Sequence, residues 1–241
     1  MPNGRRGMRR SIFASVLSVV FLGVLNPAFA SDRPLKDTNG DGQIEVLAFG
    51  DSITYGVGDG ASPGAYVPDI TESGSPRGYP VRLSALLGVP VYNAGVPGEE
   101  LCTDGVERFP NLVVNSSVDV VIIKEGTNDT QRFVTTRTLS ANLQRVINVA
   151  RAEGKSVVLA TLVPPTGDHA QFAGFSAVYS SAIRNVATSN SLPLADIEQA
   201  FFQVCPELTT CSLYNLPEGL HPNTAGYDMM TETIAAALGS K

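Results

Sequence analysis

Histidine and cysteine are scarce in this chain, with two of the first and three of the second. No C-x-x-C pair occurs among Cys102, Cys205 and Cys211, so a zinc site of the finger or ribbon kind has no ligand set. Basic residues are also few once the first 30 positions are set aside. That segment carries four of the 17 lysines and arginines and none of the 23 acids, which leaves 13 − 23 = −10 for the remainder. A surface so negative repels phosphate backbones at long range, and a nucleic-acid partner is not expected. Beyond Asn26 no apolar run approaches the about 20 residues of a spanning helix, and neither an internal repeat nor a long apolar lid segment is present.

What is present begins with a leader. "MPNGRRGMRR" is arginine-rich, "SIFASVLSVVFLGVLN" is apolar, and "PAFA" ends in the small-residue pattern Ala28-Phe29-Ala30. Residues 1–30 therefore read as a signal peptide cut after Ala30, and the mature chain is expected to be secreted or periplasmic, with no membrane span after cleavage. Export permits disulfides. Cys205 and Cys211 are close enough in sequence to pair and leave Cys102 over, unless Cys102 takes one of them.

The mature chain alternates β-branched runs with helical periods. Segments 44–50, 89–95, 118–126, 155–165 and 192–197 read as strands. Leu139, Leu143, Val146, Ile147 and Ala150 fall on one helical face. So do Phe175, Val178, Tyr179, Ala182, Ile183 and Val186, and Asn223 is placed to cap a last helix through Tyr227, Met230, Ile234 and Leu238. Strand–helix alternation with nearly continuous apolar strands predicts an α/β domain over 44–241, a three-layer α/β/α sandwich around a mainly five-stranded parallel sheet. In such sheets the ligand crevice lies at the carboxyl ends of the strands. Ser52 in "LAFGDSITYG", the segment "NAGVPGE" and the segment "GTND" all fall just past such ends, and a Gly/Ser/Pro-rich loop over 56–79 follows Ser52.

A reactive serine needs a base and donors for an oxyanion. Thr54 stands where a G-x-S-x-G elbow has its second glycine, and Tyr55 stands where S-x-x-K has its lysine. The base must then be His169 or His221. Four blocks, "GDSIT", "NAGVPGE", "GTND" and "GLHPN", occur in that order, and in them the chain resembles the GDSL-type, or SGNH, esterases and lipases. The resemblance runs from about Ile44 to Ala237. It implies the flavodoxin-like fold of that family, Ser52 as nucleophile and His221 as base. It also implies an oxyanion hole made by the Ser52 and Gly98 N–H groups and the Asn128 amide, with no cofactor required. The family's D-x-x-H is here "EGLH", so the carboxylate expected to orient His221 is Glu218. A backbone carbonyl and Asp196 are the alternatives.

The expected substrates are short-chain acyl esters or lysophospholipid-like molecules, with O-acetylated polysaccharide as the alternative. A non-catalytic carbohydrate- or calcium-dependent binding protein is the alternative of another class. Upstream, "DTNGDGQIE" offers Asp37, Asn39 and Asp41 as the first half of a calcium loop, but Ala48 occupies the twelfth position. The segment 31–43 therefore reads as a partial Ca²⁺ site or as a polar turn leading into the first strand.

Overall fold

Each of the five apolar runs becomes a strand of one sheet. The computed structural model describes Met1, residues 34–60 and residues 77–239. Residues 2–30 of the expected leader and residues 61–76 of the loop after Ser52 lie outside the described residues, and the sheet and its helices belong to the unit Arg33–Lys241. The strands are β1 (Val46–Gly50), β2 (Val91–Gly95), β3 (Val120–Lys124), β4 (Ser156–Ala160) and β5 (Leu194–Ala195), ordered β2-β1-β3-β4-β5. Every pairing is parallel. Three of the five runs outlast their strands at the carboxyl end. The stretch read as 155–165 leaves the sheet after Ala160, and Pro164 and Pro165 have no N–H to extend a ladder.

Alternation along the strands sorts the core into two faces. Val46, Ala48, Val120, Ile122 and Val158 point to one side. There they meet Tyr79 and Leu83 of α2 (Gly78–Leu87), Phe201 of α7 (Ile197–Val204) and Tyr227, Met230 and Ile234 of α8 (Thr224–Ala237). Leu47, Phe49, Val121, Ile123 and Leu159 point to the other. These meet Phe109 of α3 (Val106–Val113), Leu139, Leu143 and Ile147 of α5 (Thr136–Ala152) and Ile183 of α6 (Ala173–Ser189). Burying side chains of this size is worth roughly 1.5–3 kcal/mol each, so strands apolar on both sides need helices on both sides.

One helical face differs from the expectation. Phe175 and Val178 are 48% and 57% exposed, and α6 instead buries Ser176, Tyr179, Ser180, Ile183, Val186 and Ala187. Small serines let the helix sit close to the sheet, where Ser180 Oγ accepts the Leu162 N–H at 3.3 Å. Phe175 packs against Phe133, ring centroids 5.2 Å apart. Where the loop after Ser52 departs and returns, buried Asp59 accepts the Gly78 N–H at 2.9 Å and pairs with Arg82. Among the described residues no helix is long and apolar enough to cross a membrane.

Candidate active site

Ser52 sits at the first position of a short helix, α1 (Ser52–Tyr55), laid directly on the strand ends. The preceding Asp51 caps that turn, its Oδ1 accepting the Ile53 N–H at 2.8 Å. Two glycines make the close approach possible. A Cβ at Gly50 would lie 2.1 Å from Thr54 Oγ1, and one at Gly95 would lie 2.1 Å from the Tyr55 nitrogen. The serine is thereby fixed at the carboxyl end of a central strand and is 7% exposed.

His221 comes from the far end of the chain. Its loop is held by a bridge between Tyr214 and Pro222 and by Asn215 Nδ2, which donates to the Gly58 carbonyl at 2.9 Å. Asn223 then caps α8, its Oδ1 accepting from Ala225 and Gly226. This arrangement puts His221 Nε2 2.9 Å from Ser52 Oγ, across 169 residues of sequence.

Glu218 Oε1 lies 2.8 Å from His221 Nδ1. Its other oxygen accepts the Leu220 and His221 N–H groups at 3.0 and 2.9 Å. Partial burial pushes this carboxyl upward, but the two N–H donors and the neighbouring ring outweigh it and hold the carboxyl below the usual glutamate range. Gly219 makes the turn possible at φ +72°, and a Cβ there would lie 2.3 Å from the Thr166 carbonyl oxygen. Thr166 N–H donates to the Gly219 carbonyl and Asp168 N–H to the Pro217 carbonyl, both at 2.8 Å, which pins the Glu218 loop. Asp196 is engaged elsewhere, paired with Arg184 and capping α7 through the Gln199 N–H.

The remaining site residues gather around the serine's strand. The sheet order makes β2, β1 and β3 neighbours, so the loops carrying Gly98, Ser52 and Asn128 stand side by side. Gly98 is exposed at φ +84°. Asn128 lies on α4 (Thr127–Gln131), and its Nδ2 donates to the Glu99 carbonyl at 2.7 Å, which leaves one amide hydrogen of the pair. Asp129 accepts the Leu101 and Cys102 N–H groups at 2.8 and 2.9 Å and so ties the two loops together.

Of the two candidate bases, His169 does not face the serine and places Nδ1 2.8 Å from the Glu218 carbonyl. Two further polar residues of this region are not singled out by sequence reasoning. Lys124 and Glu125, the last charged pair of an otherwise apolar run, are buried at 0% and 1% exposure. Burial first, then the charges of Asp51, Glu99 and Asp129, raises the Glu125 carboxyl well above its ordinary value despite Lys124 beside it. Above the ordinary glutamate range, the folded state then retains a proton that the unfolded chain has lost. Stability falls with pH through that window, by about 1.4 kcal/mol per unit. Glu125→Gln is expected to remove this slope, gaining on the wild type as pH rises above about 4.3 and matching it below. Urea unfolding across pH checks it, and parallel curves would refute it.

Cys205 and Cys211 are joined in a disulfide, and Cys102 is free. Burial and hydrogen bonding to Asp129 push the Cys102 thiol up to about 12, so it stays protonated at neutral pH. In the upstream loop the expected cation ligands are turned on their own backbone. Asp37 accepts the Gly40 and Gly42 N–H groups, Asn39 that of Asp41, and Asp41 that of Gln43. Asp119 anchors the loop through Thr38 and Asn39. No group of three or more His, Cys, Asp or Glu side chains able to hold a metal occurs among the described residues.

Residues 48–229 match the model of the GDSL-like lipase/acylhydrolase family. The chain belongs to that family. It is a carboxylic ester hydrolase, and similarity to individual members agrees. The esterase is 30% identical to esterase TesA of Pseudomonas aeruginosa over 145 residues, 60% of this chain and 67% of that one. It is 26% identical to an arylesterase of Vibrio mimicus over 155 residues, 62% and 70% of the two chains. Its fold is that of the acetylxylan esterase Axe2 from Geobacillus stearothermophilus, with TM-score 0.68, 22% identity, and 85% and 97% of the two chains covered. The α/β hydrolase LAE5 from the Lake Arreo metagenome is similar at TM-score 0.66 and 22% identity, over 81% and 95%.

Proposed function

We propose that the esterase cleaves short-acyl carboxylic esters through an acyl-enzyme on Ser52. The observation that carries this reading is the unbroken run of contacts from Glu218 through His221 to Ser52. Nε2 takes the hydroxyl proton as Oγ attacks the carbonyl carbon. Negative charge moves to the carbonyl oxygen, where the Ser52 and Gly98 N–H groups and the free Asn128 amide hydrogen receive it. The imidazolium, held by Glu218, passes its proton to the departing alkoxide. Water then attacks the acyl-Ser52 carbonyl, with His221 again as base, and the acid leaves.

The acyl preference follows from space. A recess of about 10 Å³ lies beside the site, lined among others by Thr127, Leu162, Val163, Pro165, Phe172 and Leu220. Thr127 and Leu220 are the chain neighbours of Asn128 and His221, and the space is about that of one water, which suits a short acyl group and not a long one. The arginine-led apolar leader and the Cys205–Cys211 bond support action outside the cytoplasm.

A fluorophosphonate should form a single adduct on Ser52, read by peptide mass spectrometry, and the adduct should vanish in Ser52→Ala. Across p-nitrophenyl acetate, butyrate, octanoate and laurate, kcat/KM is expected to peak at the two shortest esters and to fall about tenfold or more by octanoate. An unlabelled Ser52 would remove the serine mechanism. A profile that is flat or rises with chain length would remove the short-acyl preference. Faster acetate release from acetylated xylan than from simple acetates would move the substrate to carbohydrate.

A further inference from the structure

We propose that Lys124 is a positioning residue, its buried ammonium bolting the turn that carries Ser52 to the turn that carries Asn128. This rests on the roles given above to those two residues. Lys124 ends β3 in register with Gly50, the last residue of β1, so its side chain starts between the two turns. Nζ lies 3.0 and 3.2 Å from the two Asp51 carboxylate oxygens and 2.7 Å from Thr127 Oγ1. Asp51 is covalently next to Ser52, and Thr127 is covalently next to Asn128. Asp51 Oδ1 also caps α1, so the ammonium holds the carboxylate that fixes the start of the nucleophile's helix.

The other ties of the asparagine turn run away from Ser52. Asn128 Nδ2 reaches the Glu99 carbonyl and Asp129 reaches Leu101 and Cys102, all on the Gly98 side. Among the described residues, Lys124 is the side chain that links the serine turn to the asparagine turn. Stability alone is a poor reason for it. Lys124 and Asp51 side chains are both 0% exposed, and desolvating such a pair carries a heavy penalty on each ion, which packed apolar residues of equal volume commonly avoid. A fixed spacing between nucleophile and oxyanion donor is a return that apolar packing does not offer. A misplacement of about 1 Å costs on the order of 10²-fold in rate.

The test uses Thr127, where shape and hydrogen bonding can be separated. Thr127→Val keeps the volume and removes the acceptor for Nζ, whereas Thr127→Ser keeps the acceptor. With p-nitrophenyl acetate, Thr127→Val is expected to lower kcat about tenfold with KM within about twofold, and Thr127→Ser, which keeps the acceptor, to retain at least about threefold more kcat than Thr127→Val. If the lysine acts by placing Asn128, then in an Asn128→Ala background Thr127→Val should change kcat less than about twofold. A Thr127→Val variant as fast as wild type, or losses that multiply with Asn128→Ala, would overturn the proposal. Lys124→Met with Asp51→Asn removes both charges together and serves if Thr127→Val fails to fold. The expected result is the same kcat loss with a thermal midpoint no lower than wild type, and undiminished kcat would be decisive against it. Ser52→Ala separates the two levels. If it is active, the serine reading fails, and if it is inert while Thr127→Val is unaffected, only the role of Lys124 fails.

Discussion

Ser52→Ala, His221→Ala and the double variant are expected to lose kcat by a common factor on the order of 10⁶. In the proposed mechanism serine and histidine perform one act, the transfer of a proton from Oγ to Nε2 as Oγ becomes a nucleophile, across the 2.9 Å contact between them. Removing either partner ends that act, so removing the second adds almost nothing. A residue of catalysis should persist in all three, because the proposed oxyanion donors on Gly98 and Asn128 stay in place to stabilise attack by water. Steady-state kinetics on p-nitrophenyl acetate, corrected for the uncatalysed rate, measure it. Single losses that multiply in the double variant would mean that the two side chains work separately, and the proton-sharing account would be abandoned.

Glu218→Gln is expected to lower kcat by about 10³–10⁴ while leaving the thermal midpoint and KM nearly unchanged. Glutamine fills the same space, and the reason for the loss lies in its hydrogens. The Leu220 and His221 N–H groups both donate to one terminal oxygen of residue 218. In the variant that atom must be the amide oxygen, because the NH₂ group cannot accept. The NH₂ group then faces Nδ1 and forces that nitrogen to be the acceptor. The ring proton moves to Nε2, where it points at Ser52 Oγ and blocks the transfer. A Glu218→Gln enzyme within about tenfold of wild type would show that something other than this carboxylate sets the ring's tautomer.

Much of this arrangement can be read from the residues, and the exceptions have physical causes. Val46–Gly50 and Val120–Lys124 announce themselves as strands because they are buried on both faces and carry almost nothing else. The site blocks are legible because glycine, serine and asparagine stand just beyond strand runs, and because only two histidines are there to serve them. Glutamate in place of aspartate at 218 reads as a departure, yet the turn at Gly219 and the hold of Thr166 set the longer arm at 2.8 Å from the ring. Phe175 and Val178 mislead because hydrophobicity alone picks the helical face. Ser176 and Ser180 are buried there for their small size, and Ser180 for a backbone contact as well. Lys124 and Glu125 escape notice because charge at a strand end reads as the boundary with water. Only the fold brings Asp51 and Thr127 to the ammonium. His169 looks like any loop histidine until the 2.8 Å contact with the Glu218 carbonyl exists.

The distance along the chain from serine to imidazole has a kinetic meaning. All five strands are complete by Ala195, whereas the proposed base stands at position 221. A chain emerging from synthesis therefore holds every strand of its sheet before that imidazole has been added. The last helix, which the imidazole precedes, also completes one face of the core through Tyr227, Met230 and Ile234. In a refolding time course, ester cleavage should return no earlier than the optical signal of the packed core, so the reaction itself reports that the molecule has been finished.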